Sequence, residues 1–357
     1  LSPALFKVVF AVWDSTHQED TMKAIVQSKY GSPDVLELKE LDKPVLEDNN
    51  VLVRVHAAAV NPLDWHDMRG LPYLLRLGNG LRQPKDRVLG VDLAGHVEAV
   101  GKNVTQFQPG DEVFGLCKGA FAEYVCGRED RLMRKPANLT LEQAAAVPVA
   151  ALTALQGLRD RGQIETGQKV LIVGASGGVG TFAVQIAKSF GAGVTGVCST
   201  TNLGLVRSIG ADQVIDYTQE DFTQSGERYD LIVDMAGTHS LSSCRRALTG
   251  RGTYVVVGAP SGRWLEGPDR LIKALVLSPF VSQKMVPFIT TANKEDLAVL
   301  KDLIEAGKVT PVIDRTYPLN EAPEAIRYLE EGHARGKVVI TIAPALIDTL
   351  AARRGTV

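Results

Sequence analysis

Val170-Leu171-Ile172-Val173-Gly174-Ala175-Ser176-Gly177-Gly178-Val179-Gly180 is the stretch that decides the fold. Four branched apolar residues in a row suit a strand buried on both faces, and the glycines that follow at once mark a tight turn. Beyond the turn, Val179, Phe182, Ala183, Ile186, Ala187 and Phe190 fall at helical spacing, and Gly191 ends the run. Strand, Gly-rich turn and amphipathic helix, in that order, make a phosphate cradle. Without Cβ atoms the turn takes unusual dihedrals and lets a pyrophosphate reach the main chain, while the free N–H groups and dipole of the helix start hold its charge. Gly-rich turns also end strands for shape alone, but here the flanking elements supply the context a dinucleotide site requires. Gly174, Ala175, Ser176, Gly177, Gly178, Val179 and Gly180 are therefore expected against a cofactor's phosphates.

Reading downstream, Val194–Val197, Val214–Ile215, Leu231–Asp234 and Tyr254–Gly258 are short strands, with a helix at Leu203–Ile209. Parallel strands need crossovers of helix length, so this is a doubly wound parallel sheet. Upstream the pattern differs. Strand-like runs at Lys23–Gln27, Val51–Val60, Val88–Val100, Glu112–Leu116 and Phe121–Val125 are punctuated by turns such as Gln108-Pro109-Gly110-Asp111, which predicts an antiparallel, barrel-like first domain. Thr140, with Gln143 three residues on, opens a helix running towards Leu158. After Met285–Ile289 come a helix at Lys294–Ala306 and strands at Val309–Ile313 and Lys337–Ile342, which return to complete the first domain. The fold class is thus α/β, a barrel domain (22–145 and 292–345) carrying an inserted doubly wound domain (146–291), with an extension at 1–21 and a tail at 346–357.

The chain has 357 residues, long enough for two cores, since one core stops growing at roughly 250–300 residues. Lys plus Arg (39) nearly balance Asp plus Glu (41), so no field of one sign draws the molecule to nucleic acid or an acidic surface. Cys117, Cys126, Cys198 and Cys244 form no CxxC pair or metal spacing and read as reduced thiols, consistent with the cytoplasm. No stretch is apolar enough to span a membrane, and residues 1–21 lack a basic leader and a cleavage pattern.

The second strand of the doubly wound domain tests the nicotinamide cofactor, because an NAD site puts an acid about 20 residues past the Gly-rich turn. This chain has Cys198-Ser199-Thr200-Thr201-Asn202 there. With no carboxylate to repel a 2′-phosphate, and with the Ser199 and Thr200 hydroxyls able to donate to it, NADPH is preferred over NADH. The nearest cation is Arg207, which a plain surface helix would also carry.

In this setting the chain resembles the quinone oxidoreductase-like branch of the medium-chain dehydrogenase/reductases, the group of zeta-crystallin and the enone reductases. The resemblance rests on Asn61-Pro62-Leu63-Asp64, Leu89-Gly90-Val91-Asp92-Leu93-Ala94-Gly95, Gly110-Asp111-Glu112-Val113, Phe121-Ala122-Glu123-Tyr124, the Gly174–Gly180 turn and Gly210-Ala211-Asp212. It implies a GroES-like β-barrel domain, an inserted Rossmann domain, a cleft between them and, frequently, a homodimer. Zinc enzymes of the same superfamily use Cys, His and Cys with a neighbouring Glu, whereas this chain has Asn61, Val91 and Asp92 at the matching places and no four-cysteine lobe. No zinc is expected. Without a Lewis acid, plain alcohol oxidation is disfavoured, while a quinone or α,β-unsaturated carbonyl spreads developing charge over its own π system.

The resemblance also assigns residues. Asn61 is expected at the nicotinamide side, although Asn before Pro is also a routine turn starter. Thr153, with helix packing as the bland alternative, and Gly258-Ala259, with a tight turn, match positions beside the nicotinamide; Ala236 joins the cofactor-binding set. Tyr217 matches a tyrosine beside the adenosine phosphate, and Arg335 and Lys337, in His333-Ala334-Arg335-Gly336-Lys337, lie where the chain returns to the cofactor. Tyr73 can line the cleft and donate a proton, or simply pack its loop; His66 is a minor proton-shuttle candidate; Asp64 is expected to cap the following helix. The basic loop of Arg76, Arg82, Lys85 and Arg87 can meet an anion or be merely solvated. The expected activity is NADPH-dependent hydride transfer to a quinone or enone. The alternatives are a metal-independent alcohol or aldehyde oxidoreductase and a non-catalytic NADPH-binding structural or sensing protein.

Overall fold

The computed structural model describes residues 21–73, 76–257 and 282–342. Its first part is β-rich: β1 (Thr21–Gln27), β2 (Leu36–Asp42), β3 (Asn50–Val60), β4 (Asp92–Val100), β5 (Glu112–Leu116), β6 (Tyr124–Arg128) and β7 (Leu132–Arg134). The second part alternates strands and helices, with β8 (Lys169–Val173), β9 (Gly193–Cys198), β10 (Gln213–Asp216), β11 (Tyr229–Asp234), β12 (Leu248–Val257) and β13 (Lys284–Phe288). Finally β14 (Ile313–Pro318) and β15 (Lys337–Thr341) rejoin the first sheet, β15 lying antiparallel to β3. This is the return that makes the doubly wound domain an insertion. The strand expected at Val309–Ile313 instead begins where that stretch ends, at Ile313.

The inserted sheet has six parallel strands in the order β10-β9-β8-β11-β12-β13. The order reverses between β8 and β11, and ligands of such sheets bind at that switch point beyond the carboxyl ends of the strands. Both faces are covered, as the continuous apolar runs require. Val170 and Ile172 of β8 enter the core shared with the Gly178–Ser189 helix, while Leu171 and Val173 enter a second core with Ile232, Tyr254 and Val256.

The Ala-rich stretch forms two helices. Thr140 caps Leu141–Ala145, donating and accepting reciprocally with Gln143, and Pro148 opens the second, Pro148–Gln156. Proline fits a first helical turn because its missing N–H would have no partner there anyway. These helices join the domains. Ala57, Ala94 and Phe114 of the barrel and Val170, Val233 and Val255 of the inserted sheet belong to one apolar cluster built around Leu152 and Leu155.

Candidate functional site

The cradle sits where β8 ends. Gly174 has φ +84°, a conformation that side-chain-bearing residues rarely adopt, and a Cβ on Gly180 would lie 2.0 Å from the Gly174 carbonyl oxygen. The amides of Gly174 and Ala175 donate to Val197 O at 3.1 and 3.0 Å, and that of Gly177 donates to Gly174 O at 3.1 Å. Those three therefore shape the turn. Thr181 is the first amide of the helix to find a main-chain acceptor, Gly177 O, so among the described residues Gly178, Val179 and Gly180 present unpaired N–H groups at the positive end of the helix. Ala236 lies beside Gly174, but its own N–H is held by Asp234 Oδ1 at 3.0 Å, so it offers a wall and no donor.

At the end of β9, Asn202 Nδ2 donates to both Ser176 Oγ and Ser199 Oγ at 3.1 Å, tying the Gly-rich turn to the segment after the second strand. Thr200 behaves differently from the expectation that it donates to a phosphate. Its hydroxyl proton goes to Asp216 Oδ2 at 2.5 Å, and Thr218 Oγ1 donates to the other Asp216 oxygen at 2.7 Å. The hydrogen bond from Thr200 heads the causes that keep the Asp216 carboxyl below its ordinary range. Tyr217 is 60% exposed beside this group.

A third group gathers at the domain junction. Lys337 Nζ donates to Asn61 Oδ1 at 2.6 Å and lies 3.4 Å from Asp92 Oδ2; Asn61 Nδ2 donates to that oxygen at 2.9 Å, and Val149 N donates to Asp92 Oδ1 at 2.9 Å. All three side chains are buried, Lys337 being 3% exposed and Asp92 0%. Burial pushes the Asp92 carboxyl up and the Lys337 charge pulls it back, with the rise prevailing. A Cβ added to Gly178 would meet Lys337 Cδ at 3.2 Å, which places this barrel lysine directly under the cradle.

Asn61 itself caps the Pro62–Arg69 helix, and Asp64 is its third residue, not its cap. The Asp64 carboxyl reaches back with Oδ2 to accept from Asn61 N at 2.7 Å, and desolvation raises its pKa to about 8. The expectation for Asp64 was thus displaced by three residues, because proline opens the helix and pushes the cap back to Asn61.

Thr153 donates to Val149 O at 2.6 Å and touches Thr290 Oγ1 at 2.7 Å. One turn on, Gln156 Nε2 donates to Thr291 O and to Asp296 Oδ2, both at 2.7 Å, and its Oε1 accepts from Thr291 N at 3.0 Å. Burial alone would raise Asp296, but hydrogen bonds from Asn293, Gln156 and Arg159 hold it low. This clasp secures the chain where it leaves the inserted domain.

Other expected residues have local partners. Arg335 is exposed, and among the described residues only its N–H is engaged, by Asp314 Oδ2 at 2.9 Å. Tyr73 is partly buried with Arg76 stacked 4.7 Å over its ring, while Arg76 also bonds the Gly70 carbonyl. His66 stacks on Trp65 and contacts Leu71 O at 2.9 Å, and burial lowers its pKa. It is held by its own loop. Gly258 and Ala259 lie outside the described residues. Sequence reasoning passed over Asn202, Gln156, Asp216 and Asp296; only Asn202 had a signal, its place directly after the hydroxyl run.

Among the described residues no group of three or more His, Cys, Asp or Glu could hold a metal ion, and no helix is long and apolar enough to cross a membrane. Two family descriptions match the chain: "Alcohol dehydrogenase GroES-like domain" at residues 47–137 and "Zinc-binding dehydrogenase" at residues 209–340. The chain is 36% identical to the mouse "NAD(P)H oxidoreductase RTN4IP1, mitochondrial", across 90% of this chain and 89% of that one. It is 35% identical to the Arabidopsis thaliana "NADPH-dependent alkenal/one oxidoreductase, chloroplastic", across 90% and 80%. Among solved structures, the quinone oxidoreductase from Coxiella burnetii superposes with a TM-score of 0.80 at 32% identity, across 90% of this chain and all (100%) of that one.

Proposed function

Because the chain belongs to the medium-chain dehydrogenase/reductase superfamily, in its quinone oxidoreductase-like branch, we propose that it is an NADPH-dependent reductase of quinones or α,β-unsaturated carbonyls. The observation that carries this reading is the cradle: amides of Gly178, Val179 and Gly180 left unpaired among the described residues at a helix start, at the switch point of the inserted sheet, with the Asn61–Asp92–Lys337 group beneath. The residues fit a phosphorylated dinucleotide, since a side chain at Gly180 would fill the turn and no acid ends β9.

The cofactor would supply the hydride; the protein supplies position, dryness and charge. Gly178–Gly180 and the Lys337 cation beneath them hold the diphosphate. Ser199 supports the choice of NADPH over NADH, with Tyr217 beside it and the exposed Arg335 as a further phosphate partner. Asn61 and Thr153 line the nicotinamide end, where the apolar cluster around Leu152 keeps water out. Tyr73 carries a phenol that can protonate the reduced acceptor.

The same reading includes a metal-free reaction, since Asn61 and Val91 stand where the zinc enzymes carry ligands. It includes a homodimer, supported by β13 standing at the outer edge of the six-stranded sheet. It includes a reducing compartment, which four reduced cysteines suit and which we take to be the cytoplasm. The test is a panel of quinones, enones and simple aldehydes with NADPH, before and after dialysis against a chelator. Loss of NADPH absorbance with conjugated acceptors, unchanged by chelation, is expected. Turnover of simple aldehydes alone would replace this reading with a carbonyl oxidoreductase, and tight NADPH binding with no turnover would replace it with a sensing role.

A further inference from the structure

We infer that Asn202 is a positioning residue for cofactor choice: its amide turns the hydroxyl protons of Ser176 and Ser199 outward, so that the two serines present paired donors to a 2′-phosphate. The inference deepens the proposed NADPH preference and rests on it.

An amide nitrogen carries two protons and accepts none, while a hydroxyl has one proton to give and can accept two. Asn202 Nδ2 spends both protons, one on Ser176 Oγ and one on Ser199 Oγ, each at 3.1 Å. Neither hydroxyl can return its own proton along those lines. Among the described residues Ser176 has no other side-chain partner, and the second neighbour of Ser199, Thr201 Oγ1 at 3.4 Å, is too distant to hold a proton against an anion. Both protons are therefore available to an incoming acceptor, and a hydroxyl donating to a charged oxygen makes one of the stronger hydrogen bonds.

Thr200 is the contrast that makes the pattern selective. Its proton, like that of Thr218, is committed to Asp216, so the carboxylate is occupied from within and the threonine offers no donor outward. The hydroxyls here thus sort into two outward donors, Ser176 of the Gly-rich turn and Ser199 after β9, and an inward one, Thr200. Asn202 is only 8% exposed, and its Oδ1 is a buried acceptor with no partner among the described residues.

The test uses ligands that need no turnover. Binding of adenosine 2′,5′-bisphosphate and of 5′-AMP to the whole protein is measured by titration calorimetry, and the ratio of their dissociation constants is read. Wild type is expected to favour the bisphosphate. In Asn202→Ala the ratio falls about tenfold, the range set by charge-assisted hydrogen bonds, with 5′-AMP affinity little changed. Asn202→Asp, which keeps the shape but accepts where Asn donates, brings the ratio towards one, and Ser199→Ala gives a part of the same loss. Circular dichroism on each variant separates misfolding from the effect, and the near-isosteric Asp variant carries the test if the Ala variant does not fold. A wild-type preference that both Asn202 variants leave intact would overturn the inference while leaving the NADPH preference standing. A wild-type ratio near one would overturn that preference, and this inference with it.

Discussion

Replacing Lys337 by methionine tests the junction beneath the cradle. The variant keeps an apolar stem of similar length but leaves the fully buried Asp92 carboxylate with Asn61 Nδ2 and Val149 N as its only donors among the described residues. At the 3.4 Å separation of Lys337 and Asp92, the attraction is about 5 kcal/mol for an effective dielectric near 20. Part of that is offset by desolvation, and removing one partner of a buried pair costs about 3–5 kcal/mol. An unfolding entropy of about 2.1 cal/mol/K per residue gives roughly 0.7 kcal/mol/K for a chain of this size, so the midpoint should fall by about 4–7 °C. Scanning calorimetry at pH 7.5 on K337M, D92N and the double variant closes a cycle. The double variant, with no uncompensated charge, should recover at least half of the loss. A midpoint within about 1 °C of wild type for K337M, or single effects that simply add, would refute the view that the two charges hold each other in the junction.

Asp64, whose pKa burial raises to about 8, holds a proton in the folded state that the unfolded chain releases near pH 4. Its contribution is therefore complete below about pH 4 and is lost as pH rises towards 8; Asp64→Asn should flatten the stability profile across that window by about 1.4 kcal/mol per pH unit, as read by urea denaturation. An unchanged slope would show that Asp64 is ionised in the fold. Gly180→Ala puts a Cβ 2.0 Å from the Gly174 carbonyl oxygen, so the turn must open. A cost of about 1–3 kcal/mol and at least a tenfold weaker NADPH affinity by fluorescence titration are expected, and wild-type affinity would show that the turn does not touch the cofactor.

The fold was legible where local rules and tertiary demands agree. Val170–Val173 alternates between two cores, and four apolar residues in a row announce that both faces are covered. The turn was legible too, because glycine is the only residue its geometry admits at Gly180. The site was less so. That Thr200 turns its proton to Asp216 depends on β9 and β10 lying side by side, and nothing in the segment Ser199–Asn202 reveals that pairing. Lys337 and Asn61 meet across 276 positions of chain, a contact only the returning β15 creates. Asp64 was misread locally: proline two residues earlier shifts the helix start, and the acid then serves the cap instead of being it.

The apolar cluster running from Ala57 and Phe114 through Leu152 to Val255 gives the barrel and the inserted sheet a common interior. Neither lobe can melt and leave its neighbour intact, because each would strip the other of one wall. Heating should accordingly produce a single endotherm, and any relative motion of the two lobes should proceed by small sliding of packed side chains and not by the lobes parting.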